Sequence, residues 1–116
     1  MSRKAAEIAG LERLARLILD ARLAELRQAA AAREASRAAL EALNRPASAP
    51  GDEVPPLIQA QTELRYQAWA DKRRAEINLR LARQTATWME RREAAAQAFG
   101  RAEALSRIAA RWPRRG

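Results

Sequence analysis

The chain has 116 residues, 48% of them hydrophobic and 31% charged, with a formal net charge of +8 and a pI near 11.4. It holds neither cysteine nor histidine, which removes disulfides, thiolate nucleophiles, the usual zinc sites and the side chain best suited to proton transfer near neutral pH. Much of the apolar share is alanine, so bulky side chains are too scarce to fill a compact interior but sufficient for the single stripe that a two-helix seam needs.

Among the 22 basic residues only Lys4 and Lys72 are lysines. An arginine bias of this degree follows equally from a G+C-rich genome and from selection for acidic surfaces or nucleic acid, which such a charge attracts at long range. At the start, Met1-Ser2-Arg3-Lys4 leads to Ala5-Ala6-Glu7-Ile8 and regular charges, without the apolar run of a secretory signal. Leu17-Ile18-Leu19 and Ala29 to Ala32 are too short to cross a bilayer. The expected location is the cytoplasm, at most peripheral to the inner membrane through partners.

A first helix is expected over residues 3–44. Its apolar or small residues recur at Ile8, Leu11, Ala15, Ile18, Leu26, Ala29, Ser36, Leu40 and Leu43, interrupted by Arg22 and Arg33. An extra step of four between Arg22 and Leu26 reads as a stutter, and long arginine stems can lie along a seam with their heads in water. A loop follows at 45–55, where all but one of the prolines gather around Pro46, Pro50, Pro55 and Pro56. Proline lacks the backbone donor and pushes its predecessor out of helical geometry, so the chain must break there. Gly10 and Gly100 each cost about 1 kcal/mol against alanine, too little to end a helix.

The second helix is expected over 56–112, opening at Pro56, where a first turn accepts proline, and stopping at Trp112-Pro113, with Arg114-Arg115-Gly116 frayed. Its stripe is Ile77, Leu81, Trp88, Ala95, Phe99, Ala102, Leu105, Ile108 and Trp112. The predicted fold is all-α: one domain, 1–116, built as a long two-helix antiparallel coiled-coil hairpin whose second helix is longer.

If pairing starts at the bend, with Leu43 near Leu57, facing residue numbers add to about 100 and the first arm is exhausted near residue 98, at 1.5 Å rise per residue. Trp88 then meets Leu11, Leu81 meets Ile18, and Phe99, Leu105, Ile108 and Trp112 are left without cover, the mark of a contact surface or of self-association.

No catalytic, cofactor or metal site is expected. Asp52 and Glu53 lie in a loop without a pocket to perturb them, Ser2, Ser36, Ser48 and Ser106 lack a base, and no phosphate-cradling glycine loop exists. Lys72-Arg73-Arg74, Arg80, Arg83 and Arg91-Arg92 could meet phosphates with Trp69, Trp88 and Trp112 stacking on bases, but Asp71, Glu76, Glu90 and Glu93 interleave with them as on a solvated helix face. All five aromatics, Tyr66, Trp69, Trp88, Phe99 and Trp112, lie in the second arm, which assigns recognition to that arm. Trp69 and Trp112 are expected to be exposed, and Trp88 and Phe99 can serve the seam.

Tyr66-Gln67-Ala68-Trp69, then Trp88-Met89-Glu90-Arg91-Arg92, Phe99 and Leu105-Ser106-Arg107, behind a Leu/Ala/Arg first helix, resemble the flagellar export protein FliJ and its injectisome relatives. Those are small basic hairpins of the type III secretion ATPase complex. The resemblance implies a non-enzymatic stalk like the rotor subunit of rotary ATPases. Its paired termini would sit in a hexameric export ATPase, its distal region would reach the cytoplasmic domain of the export gate, and it would hand on export chaperones. On that reading Phe99, Arg101, Leu105, Arg107, Ile108, Arg111 and Trp112 meet the ring, and Tyr66, Trp69 and Ile77 meet the gate. The alternatives are a basic helical nucleic-acid-binding protein and a structural coiled-coil subunit of another assembly.

Overall fold

The structure, a computed structural model, describes residues 3–45 and 53–112. Most of the expected proline-rich loop and the expected frayed end at Arg114 to Gly116 lie outside the described residues. Two helices make up the described chain, α1 at Arg3–Asn44 and α2 at Pro56–Arg111. The protein is an all-α, antiparallel two-helix hairpin in which the second helix is the longer, 56 residues against 42.

Local chemistry explains the helix ends. Pro56 takes the first helical position, where its missing N–H would have no helical acceptor anyway. The Pro55 carbonyl accepts from the Gln59 N–H at 3.0 Å, and the Gln59 Nε2 donates to the Val54 carbonyl at 3.0 Å. At the far end the Trp112 N–H donates to the Ala109 carbonyl at 3.1 Å, tightening the last turn before Pro113. The α1 helix ends at Asn44 because Arg45 precedes Pro46, which disfavours helical geometry for it.

The chain divides into two compact units. The terminal unit is Met1–Ala31 with Ala86–Gly116, and the loop unit is Ala32–Thr85.

In the terminal unit α1 turns Ala5, Ile8, Glu12, Ala15, Leu19, Arg22, Leu26 and Ala29 inward, each buried or half-buried. From α2 come Trp88, Ala95, Ala98, Ala102, Leu105 and Ala109. Apart from one step of two turns between Trp88 and Ala95, these positions alternate steps of three and four, the spacing that keeps one line of side chains against a partner helix. The α1 stripe expected from sequence erred by one residue at two places, and the α2 stripe did so at Phe99 and Ile108, which are exposed while Ala98 and Ala109 take the seam. Leu11 and Ile18 are exposed, Ile18 by 42%, while Glu12 and Leu19 face the seam. With Leu19 in the line the spacing is regular through Arg22 to Leu26, so the expected stutter is absent.

In the loop unit α1 contributes Arg33, Ser36, Leu40 and Leu43, and α2 contributes Ala70, Arg74, Ile77, Leu81 and Gln84. Ile77 is the one large side chain closed off almost completely, 1% exposed.

The pairing register differs from the sequence expectation. In the loop unit Ser36 bonds Gln84, Arg33 bonds Thr85 and Arg74 bonds Asn44, so partner numbers add to between 118 and 120. In the terminal unit Glu25 faces Arg91 and Lys4 faces Trp112, and partner numbers add to 116. The expected sum of about 100 assumed that pairing begins where α2 begins. Instead α2 runs for more than three turns before meeting α1, because the partners of Arg33, Ser36 and Asn44 lie farther along it, at Thr85, Gln84 and Arg74.

Ile77→Ala should lower the free energy of unfolding by about 2 kcal/mol or more, as buried large-to-small changes do, whereas Ile18→Ala should cost well under about 1 kcal/mol. Urea titration followed by circular dichroism checks the pair, and equal losses would mean that Ile18 shares the seam.

Candidate docking surfaces

Polar side chains set the register of the loop unit. The Ser36 hydroxyl, 3% exposed, donates to Gln84 Oε1 at 2.6 Å, and Arg33 Nε donates to Thr85 Oγ1 at 3.2 Å. One turn of α2 thus answers one turn of α1, polar against polar. At the end of α1, Arg74 donates to the Leu43 carbonyl at 3.2 Å and to Asn44 Oδ1 at 3.1 Å, while Asp71 accepts from it at 2.8 Å. The last carbonyls of a helix have no intrahelical donor and carry partial negative charge, so a guanidinium held there both satisfies and stabilises them. Arg74 marks the place on α2 where α1 stops.

Before that place α2 is bare. Every residue from Ala60 to Trp69 is exposed, and Ala70 is the first buried one. Leu57 and Leu64 are each 70% exposed and Trp69 55%. Tyr66 and Trp69 lie one turn apart with ring centroids 5.8 Å apart, tilted by 39°. Of the three residues expected to meet a gate, Tyr66 and Trp69 share this open stretch. Ile77 is packed against α1's line instead, and a side chain so closed cannot reach a partner while the helices stay paired.

The terminal unit carries the second surface. Leu11, Leu14, Ala15 and Ile18 of α1 face Ala98, Arg101 and Leu105 of α2 across an open groove of about 160 Å³. That volume is below the roughly 300 Å³ of small-molecule pockets, so the groove suits side chains of another protein. Arg101 makes no ion pair or hydrogen bond among the described residues.

The segment expected to stand uncovered is partly covered by its own chain. Lys4 Nζ lies 4.9 Å from the Trp112 ring centroid, a cation over a π face, and Leu105 shares its groove with Leu11, Leu14 and Ile18. Phe99, Ile108 and Trp112 keep part of their surface in solvent, and Arg107 and Arg111 are exposed. The structure therefore gathers Arg101 and Leu105 in one groove with three leucine and isoleucine side chains of α1 that sequence reasoning had not placed there. The missed signal was the pair Leu11 and Leu14, which brings large apolar groups to α1's outer face beside the seam line.

Ion pairs add little. Glu12 with Arg16, Glu25 with Arg22, Asp71 with Arg74 and Glu76 with Arg73 all join neighbouring turns of one helix, and such exposed pairs are worth about 0–1 kcal/mol each. Among the described residues the 3.7 Å approach of Arg91 to Glu25 joins the two helices. Among the described residues no acid cluster could hold a metal ion, and no helix is long and apolar enough to cross a membrane.

Arg74→Ala should free the last turn of α1. Amide exchange at residues 41–44 should quicken severalfold, with a stability loss of about 1 kcal/mol, while exchange near Ile8 stays unchanged. Unchanged exchange at 41–44 would show that Arg74 caps nothing.

Comparison of the chain with protein-family models, curated proteins and solved structures finds no match.

Proposed function

We propose that this protein is a non-enzymatic stalk or adaptor of a flagellar, type III export ATPase complex. The observation that carries the reading is the terminal unit's groove, which Leu11, Leu14, Ile18 and Leu105 line together with Arg101, a cation without an ion pair among the described residues. Apolar anchors around a single unpaired charge are what a protein partner's apolar residues and one carboxylate can fill, and desolvated contacts of this kind dominate interface energy. The groove is built from both helices of the terminal unit, and it includes Arg101 and Leu105 of the segment that the FliJ resemblance assigns to the hexameric ATPase. Phe99, Arg107, Ile108, Arg111 and Trp112 rim the same contact. Tyr66 and Trp69, on the open stretch of α2, are the proposed contact for an export gate's cytoplasmic domain or for export chaperones. The complex places the protein in the cytoplasm, beside the inner membrane.

A basic helical nucleic-acid binder is the second reading, and the observation that favours it is a net charge of +8 with several arginines unpaired. Salt separates the two, since phosphate contacts weaken steeply with ionic strength and apolar docking does not.

Capture of a purified hexameric export ATPase by the immobilised protein tests the proposal. Leu14→Glu and Arg101→Glu should each lower capture by roughly tenfold or more, in line with a loss above about 1.4 kcal/mol at an interface anchor. Undiminished capture by both variants, with helix content intact, would remove the groove from the ATPase contact.

A further inference from the structure

The loop unit carries a second apolar line on α2, on the side turned away from α1. Leu57, Leu64, Ala68, Ala75, Leu79 and Ala82 follow one another at intervals of one or two turns, so they fall on one face of the helix. All six are exposed, with Leu79 at 56%. The seam line that opens at Ala70 uses other positions, so α1 cannot cover this face. A helix apolar on two sides buries one against its hairpin partner and presents the other to a further element.

The charges beside the line decide what that element is. Arg65, Lys72 and Arg83 run along one edge, and none of the three makes an ion pair or hydrogen bond among the described residues. The neighbouring acids are already engaged, Asp71 by Arg74 and Glu76 by Arg73. The edge is therefore a row of uncompensated cations beside an apolar stripe. A second copy is a poor occupant. In antiparallel self-pairing the same edge of each helix meets itself, setting cation against cation, and two chains of charge +8 repel at long range. A helix with Leu or Ala along one face and Glu or Asp on the flank facing Arg65, Lys72 and Arg83 meets both features at once.

We propose that this face of α2 is a docking site for an amphipathic helix with an acidic flank, supplied by a different protein. The terminal unit takes no part in the contact, so ATPase capture can fail while helix capture persists, and the reverse.

The test is selection from a displayed library of helical peptides of about 20 residues, roughly 30 Å of helix, with Leu and Ala fixed on one face and the flanking charges randomised. The full chain should enrich peptides with Glu and Asp at the flank over those with Lys and Arg. The variant Leu64→Glu/Leu79→Glu should lose binding of the selected peptides, and circular dichroism should show its helices unchanged, since both positions face solvent. Arg65→Glu/Lys72→Glu/Arg83→Glu should weaken acidic peptides roughly tenfold and shift selection toward basic flanks. Four results would overturn the proposal. They are no enrichment, enrichment indifferent to the charge reversal, concentration-dependent dimers abolished by Leu64→Glu/Leu79→Glu, and displacement of the selected peptides by a nucleic-acid duplex with a steep salt dependence.

Discussion

The register between α1 and α2 in the loop unit is the constraint that leaves the opening stretch of α2 bare, and it is held by polar groups. Apolar seams of small residues discriminate poorly between neighbouring alignments, because sliding a row of alanines by one repeat exchanges one methyl contact for another. Ser36 and Arg33 discriminate strongly. Ser36 is removed from water and Arg33 half-buried, and an unmade hydrogen bond at Ser36 costs about 1–3 kcal/mol, so the alignment that supplies Gln84 is favoured over one that supplies Leu64. Arg74 adds to the same preference by meeting the Leu43 carbonyl in the last turn of α1. Where those contacts place the end of α1, the open part of α2 begins.

The seam itself is built for closeness more than for bulk. Ala70, Ala95, Ala98 and Ala102 are buried, and Ile77 alone among the larger side chains is closed off almost fully. Each alanine removes little apolar surface from water, so stabilisation is spread thinly along the contact. Larger apolar groups stand outside it. Leu11, Leu14 and Ile18 line a groove in the terminal unit, and Leu57, Leu64 and Leu79 face outward in the loop unit. A chain with few large side chains that leaves so many of them in solvent has placed them where another molecule can use them.

The helices were legible from residue patterns, since proline clustering and alanine-rich periodicity admit no other class. The register was not, and the reason lies in particular residues. The sequence expectation started pairing at the bend and so set Leu43 near Leu57, Ser36 opposite Leu64 and Phe99 beyond the end of α1. The contrary signal was present. Continued backward from Ala70 through the same steps, the α2 line reaches Gln67, Glu63, Ala60 and Pro56, which offer Leu40 and Leu43 no large apolar side chain, whereas Gln84 and Thr85 match Ser36 and Arg33. Periodicity alone also could not choose between Ile18 and Leu19, which are adjacent and equally apolar; the regular spacing on both sides selects Leu19. The exposure of Trp69 was legible from residue type, because an aromatic on a stretch without a partner helix stays exposed. Ile77 was expected both in the stripe and at the gate contact, and its closure against α1 decides for the stripe.

The lack of native cysteine makes the register directly measurable by disulfide cross-linking. Under mild oxidation Ser36→Cys/Gln84→Cys should form its intramolecular bridge nearly completely, while Ser36→Cys/Leu64→Cys should form none. A bridge from position 36 to position 64, with none from 36 to 84, would mean that α1 covers the opening of α2 and would contradict the account.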